Sequence, residues 1–213
     1  MPDTVIRQCV RKACAFRFPG PDGEVFPCPK CGASTNVVAL VPEGNNRIFT
    51  AVSGGDNLHI EAGLDNLRSA MNVGSIFRTS DGAGVRHIHL FGMCPPASHP
   101  QVKKTALGAD TTIPSTQHWD GLAAVRAMKK NGYLVWSLET TPDSISIFSL
   151  NPVEEYRKVL LVVGNENTGI DPGILAESDQ VLHIPMLGNK ESLNVANAYA
   201  IAVYWLLFGL NGK

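Results

Sequence analysis

Residues His183–Ala198 read HIPMLGNKESLNVANA. The apolar stretch Val181 to Ile184 reads as a short strand that Pro185 ends, since proline has no amide for a further ladder bond. Leu187-Gly188-Asn189-Lys190 carries turn residues. Ser192 then stands as N-cap of a dense apolar helix, Leu193 to Leu210, its hydroxyl able to accept from a free N–H of the first turn. Strand, polar loop and helix N-terminus therefore meet within a short span. Such a joint is either ordinary α/β packing or a place where free N–H groups and hydroxyls hold the polar parts of a small molecule.

Reading outward, residues 58–213 alternate strands and helices. Leu58–Gly63 reads as a strand. It leads to a helix capped by Asn72, with Ile76 and Phe77 facing a core and Gly82 or Gly84 at its end. A strand at Arg86–Phe91, a short helix at Gln101–Leu107, a helix at Asp120–Asn131 stopped by Gly132, and a strand at Tyr133–Leu138 follow. Lys158–Val163, KVLLVV, is an unbroken apolar run of the kind covered on both faces. The alternation predicts an α/β fold with a parallel sheet and helices on both sides. Gly82-Ala83-Gly84 follows a helix, so it is no dinucleotide fingerprint. Gly164–Gly169 has phosphate-loop spacing, but Ile170-Asp171 replaces the required Lys-Ser/Thr. His87 and His89 alternate in one strand and read as neutral structural residues; Cys94 reads as a free thiol.

The chain has 213 residues, enough for one full domain and a small second one. Its formal net charge of −1 supplies no global field for nucleic acid, so an RNA partner must be held by a local patch. Residues 1–20 carry Arg7, Arg11, Lys12 and Arg17 with no apolar core, unlike a secretory signal. The longest apolar run, Ala198–Leu210, is too short to span a membrane. Cysteines without an export signal point to a reducing, cytoplasmic setting, in which metal binding is favoured over disulfides.

Four cysteines fall early: Cys9, Cys14, Cys28 and Cys31, spaced C-x4-C and C-x2-C. Two close thiolate pairs make a closed tetrahedral site, the structural zinc kind, with rubredoxin-like iron or redox use as the other options. In CPKCG, Gly32 lets backbone N–H groups turn toward the second thiolate. Phe16, Phe18, Val25 and Phe26 would form a tiny core dependent on the metal. Arg7, Arg11, Lys12, Arg17 and Lys30 make this zinc-ribbon-like module, residues 1–42, locally basic: a weak phosphate-contacting face or a merely solvated one. Residues 43–57 read as a connector, with a short strand at Arg47–Val52.

Three segments, NVGSIFRTSDGAG (Asn72–Gly84), LVVGNENTGI (Leu161–Ile170) and HIPMLGNKESLNVANA, closely resemble in order the three motifs of the SpoU/TrmH branch of the SPOUT RNA methyltransferases. Asp65-Asn66-x-Arg68 resembles that branch's lead-in, and the likeness covers nearly all of residues 58–213 but not the cysteine module. The resemblance implies a carboxyl-terminal trefoil knot, which general topology rules would not suggest. It implies S-adenosyl-L-methionine bound in the knot and methyl transfer to a ribose 2′-OH of RNA, tRNA slightly preferred over rRNA. It also implies a homodimer packed through the first and last helices of the large domain.

Carried over by motif, Leu138, Gly164, Ile184, Ser192 and Leu193 would line the cofactor pocket. Asn165 would support its loop. Arg78 matches the family's catalytic arginine. A guanidinium stays protonated in proteins, so anchoring a phosphate and orienting the hydroxyl suit it better than acting as a base. Asn72 would bind ribose or phosphate, cap its helix, or both. Glu166 would fix Arg78 or the nucleotide, and Ser192 and Asn194 would bond cofactor, substrate or Arg78. The Asn167-Thr168 pair departs from many relatives without touching Gly164, Glu166 or Gly169. The competing expectation is an inactive zinc-containing RNA-binding protein of the same fold. A nucleotide-binding hydrolase is disfavoured by the missing phosphate-loop lysine.

Overall fold

Seven parallel strands form the sheet of the larger unit in the computed structural model, which describes residues 4–23, 25–41, 57–151 and 155–210. The chain divides into two compact units, Met1–Val52 and Ser53–Lys213. The expected strand at 47–52 lies outside the described residues. No helix among those residues is long and apolar enough to cross a membrane.

The smaller unit is a three-stranded antiparallel sheet of β1 (Thr4–Cys9), β2 (Arg17–Pro21) and β3 (Thr35–Leu40), with β1 central. Its core differs from the sequence reading. Phe18 is buried, but Phe16 and Phe26 are partly exposed and Val25 is almost fully so. Val25 lies outside the three strands, so no strand carries it inward. The Phe18 ring nonetheless meets those of Phe16 and Phe26, with centroids 5.6 and 6.2 Å away, and Val5 is buried as well. The Arg7 guanidinium is buried and donates twice to the Pro21 carbonyl, so it is not part of the basic surface.

In the larger unit β4 (Leu58–Asp65) leads to α1 (Ala70–Ala83), β5 (Ile88–Phe91), α2 (Pro100–Ala106), α3 (Ala109–Thr112) and β6 (Ser115–His118). Next come α4 (Gly121–Lys130), β7 (Tyr133–Leu138), β8 (Ile145–Ser146) and β9 (Arg157–Val163). The chain then forms α5 (Pro172–Glu177), β10 (Gln180–His183) and α6 (Val195–Tyr204). The strand order is β6-β5-β4-β9-β7-β10-β8.

The unbroken run in β9 is covered on both faces. Val159, Leu161 and Val163 join the core beneath α1, α2 and α6; Leu160 and Val162 join the one beneath α4 and α5. β4 and β9 lie side by side, yet α1 leaves β4 on one face and α5 leaves β9 on the other. The crevice where connections diverge at the strands' carboxyl ends is the usual place for a ligand in such sheets.

Two helix starts differ from expectation. Ser69, not Asn72, caps α1, its hydroxyl accepting from the Asn72 amide at 3.3 Å. Asn194, not Ser192, caps α6, accepting from the Ala196 amide at 3.0 Å. The expected helix Leu193–Leu210 is therefore shorter at its start. It also changes character, passing from α6 into a π-helical turn at Trp205–Gly209. The Trp205 indole lies where a side chain at 209 would go and donates to the Ile147 carbonyl at 2.9 Å, so the turn widens around the ring.

Candidate active site and metal centre

The loop after β9 is built by its own side chains. Asn165 and Gly169 exchange backbone hydrogen bonds of 3.0 Å each way, and the Asn165 carboxamide oxygen accepts from the Asn167 and Thr168 amides. Its nitrogen donates to the Asn66 carbonyl at 2.6 Å, tying the loop to the end of β4. Gly169 has φ +72°, and a Cβ on Gly164 would collide with the Gly169 and Ile170 backbone. Both glycines are thus required by geometry.

This loop presents Glu166 to the start of α1. The carboxylate accepts from the Arg68 amide (3.1 Å), the Ser69 amide (3.2 Å) and the Asn72 side-chain nitrogen (3.0 Å). Burial pushes Glu166 up, but the Arg68 and Ser69 amides and Asn72 outweigh it and hold it below its ordinary value. A negative charge here also faces the positive end of the α1 dipole. The Asn194 carboxamide donates to the Asn72 oxygen at 3.1 Å. Asn194, Asn72 and Glu166 thus form one hydrogen-bonded chain linking α6, α1 and the loop after β9.

Beside this chain lies a cleft of about 490 Å³. Leu138, Gly164, Ile184, Ser192 and Leu193 all line it, as do Glu166 and Asn194. Leu138 ends β7, Gly164 follows β9, and Ile184 follows β10, so three parallel strands deliver one wall. The strand ends also supply Glu139, Thr140 and His183, which sequence reasoning passed over; their one signal was adjacency to predicted strand ends. Glu139 accepts from the Ile170 amide at 3.2 Å, and His183 faces the Ser144 hydroxyl at 3.0 Å. The size suits a cofactor-sized ligand, with an apolar slot for a flat ring beside backbone groups for its polar edge.

Arg78 is not among the residues lining the cleft. It stands exposed on α1, six residues beyond Asn72, which is about 9 Å along the axis. It makes no ion pair or hydrogen bond among the described residues. Of the two partners expected for Glu166, Arg78 or the nucleotide, Arg78 is not in contact with it; Glu166 spends its acceptors on the start of α1.

In the smaller unit the sulfurs of Cys9, Cys14, Cys28 and Cys31 all lie within 4.8 Å of one another. Cys9 and Cys31 are 3.5 Å apart, Cys14 and Cys28 3.8 Å. Tetrahedral zinc–thiolate bonds require S···S edges of about 3.8 Å, so the donors fit a four-thiolate metal site. Gly32, at φ +71°, closes the second knuckle, and the Ala33 amide aims at Cys31 and brings its thiol down to about 7.

The larger unit matches a known family. Residues 59–204 match the SpoU rRNA methylase family model. The chain belongs to the SpoU rRNA methylase family. Among curated relatives of this SpoU chain is the 23S rRNA (guanosine(2553)-2′-O)-methyltransferase RlmP of Bacillus subtilis, 32% identical over 67% of the chain and 56% of the relative. Another is the tRNA (guanosine(18)-2′-O)-methyltransferase of Escherichia coli, 27% identical over 66% of the chain and 59% of the relative. The chain spans a little over half the length of these relatives. A solved AdoMet-bound rRNA methyltransferase from Sinorhizobium meliloti superposes with a TM-score of 0.64 at 25% identity, covering 71% of this chain and 55% of that one. The SpoU fold is thus the α/β fold with the seven-stranded parallel sheet described above, preceded here by a small antiparallel unit that carries the cysteines.

Proposed function

We propose that this chain is an S-adenosylmethionine-dependent methyltransferase acting on a ribose 2′-OH of RNA. The observation that carries the reading is the cleft. It is open, lined by the apolar side chains of Leu138, Ile184 and Leu193 together with polar ones such as Glu139, Thr140 and Ser192, and bordered by the Asn194–Asn72–Glu166 chain. Bound there, the cofactor would supply an already activated methyl group on a sulfonium. The protein's part is then to position the acceptor for in-line attack. Leu138, Ile184 and Leu193 provide the slot for the adenine, and Gly164 allows its close approach to backbone. Glu166 holds the start of α1 in place and, with Asn194, fixes the orientation of the Asn72 carboxamide. Arg78, without a partner among the described residues, anchors a substrate phosphate and steers the hydroxyl. The preserved trio and open cleft favour an enzyme over an inactive RNA-binding relative.

Zinc is the metal we assign to the four cysteines, on the donor set and its spacing. A deep knot at the cleft accords with the family likeness. A homodimer through α1 and α6 accords with the exposed apolar side chains Met71, Ile201, Tyr204 and Phe208. The setting is cytoplasmic, and tRNA is the first substrate to test, rRNA the second.

Calorimetry with S-adenosylmethionine and mass mapping of ribose methylation in tRNA and rRNA test the reading together. Binding in the micromolar range and a methylated ribose that depends on the protein support it. No binding at millimolar cofactor would reduce the chain to an RNA-binding relative.

A further inference from the structure

Trp119 is 86% exposed, between the end of β6 and the cap of α4. An indole left that open removes little apolar surface from water, so packing among the described residues does not account for it. It borders a second cleft of about 390 Å³, separate from the cofactor cleft but at the same carboxyl edge of the sheet. Asp65, Asn66, Asp120 and Asp171 also line it, and none of its lining residues is Lys or Arg.

The carboxylates differ in how far they are used. Asp65 is buried and spends both oxygens, on the Asn66 side chain (2.8 Å) and the Asp171 amide (2.7 Å). Asp120 and Asp171 each commit one oxygen to their own helix start, on the Ala123 amide (2.9 Å) and the Gly173 amide (2.6 Å). The other oxygen of each has no protein donor among the described residues. An acid-lined cleft repels phosphate, yet offers acceptors to N–H donors beside a free aromatic face.

This cleft adjoins the methyl-transfer machinery. Asn66 lines it, and the Asn66 carbonyl is held by Asn165 of the loop after β9. Two residues on, the Arg68 amide meets Glu166. An RNA strand with its reactive ribose at Asn72 would carry a neighbouring nucleotide across Asn66 toward Trp119.

We propose that Trp119 is a stacking platform for an unpaired base of the substrate RNA near the methylated ribose, and that Asp120 and Asp171 accept from the base's amino edge. The assignment rests on the RNA methyltransferase reading above. It adds a base-selective contact to a machinery that otherwise handles cofactor, sugar and phosphate.

The test uses the full chain and fluorescein-labelled twelve-nucleotide oligo(C) and oligo(U), which share ring size but differ in the amino group. Wild type should prefer oligo(C). Trp119→Ala should weaken oligo(C) binding about 5- to 150-fold, the usual range for one lost base stack. Trp119→Phe should restore much of it. Asp120→Asn keeps the helix cap and should narrow the preference between the two oligomers. Bulk RNA as methyl acceptor should show a raised KM for Trp119→Ala with S-adenosylmethionine affinity unchanged. Equal wild-type affinity for the two oligomers, or wild-type RNA affinity in Trp119→Ala, would overturn the assignment. If wild type methylates bulk RNA and Trp119→Ala does so with unaltered KM, Trp119 alone loses its role. If wild type binds no cofactor and methylates nothing, the methyltransferase reading itself has failed.

Discussion

Glu166 and Asn72 lie 94 positions apart in sequence and are joined by a 3.0 Å hydrogen bond, through which the loop after β9 holds the first turn of α1. The same carboxylate takes the Arg68 and Ser69 amides, so Glu166 acts as a second cap supplied from a distant loop.

Glu166→Gln should therefore cost stability as well as activity. The amide keeps one acceptor oxygen but loses its charge opposite the helix dipole and strands one backbone N–H. The expected loss is about 1–2 kcal/mol, the range for a lost helix cap. Because the carboxyl is held below its ordinary value, its contribution is complete above the unfolded-state value and disappears as pH falls through the folded one. Urea unfolding of both proteins should accordingly converge toward acid pH. A constant difference across that range would deny the charge any part.

Gly164→Ala places a methyl group against the backbone of Gly169 and Ile170, which cannot step aside as a flexible side chain would. The loop must shift, taking Glu166 with it and altering the cofactor wall. Expected are a stability loss of about 1–3 kcal/mol, as for overpacking elsewhere, and a cofactor affinity at least about tenfold lower. Calorimetry that returned wild-type affinity would place the cofactor away from this loop.

The parts of this fold that were legible are those governed by local chemistry. Tyr133–Leu138 is a strand with those bounds, and Val159 to Val163 is buried on both faces, because an unbroken apolar run has few other uses. Gly84 ends α1 at φ +77° as its residue type demands. The errors arise where a distant partner decides. Ser69 and Asn72 are both good caps, but the Asn72 side chain is engaged by Glu166 and Asn194, leaving Ser69 to cap α1. Ser192 and Asn194 pose the same choice, and the π-helical turn depends on where the Trp205 ring lies. The cleft residues Leu138, Gly164, Ile184, Ser192 and Leu193 come from three separate segments; motif resemblance grouped them, and spacing alone could not have.

Removing the zinc proposed for the four cysteines should unfold the smaller unit selectively. Among the described residues Val5, Phe18 and two of the cysteines themselves are its buried hydrophobic residues, too little apolar surface to offset chain entropy without the metal bonds. Cys28→Ser should lower the zinc-to-protein ratio from about one to near zero. It should also erase the signals of the three-stranded sheet, with S-adenosylmethionine affinity retained. Full zinc occupancy in the variant would rule out the four-thiolate site.

A last prediction concerns acid. On one face of the sheet Glu61 faces His59 Nε2 at 3.0 Å and His89 Nε2 at 2.8 Å and accepts from the Tyr133 hydroxyl at 2.6 Å, while His89 Nδ1 meets His118 Nε2 at 3.0 Å. Burial alone would raise Glu61, but hydrogen bonds from His89, His59 and Tyr133 outweigh it and bring the carboxyl down to about 2. Burial, and then the neighbouring His89, lowers both His87 and His118. All three shifts have one sign: the folded chain takes up protons less readily than the unfolded one. Their stabilisation is complete above the ordinary histidine value of 6.5 and declines below it, first through His87 and His118, then below 4.5 through Glu61. The urea midpoint should hold level down to about pH 7 and begin to fall below about pH 6.5. His118→Gln removes one titrating group and should flatten that first stage relative to wild type. Parallel curves for the two proteins through the histidine range would exclude His118 from the acid response.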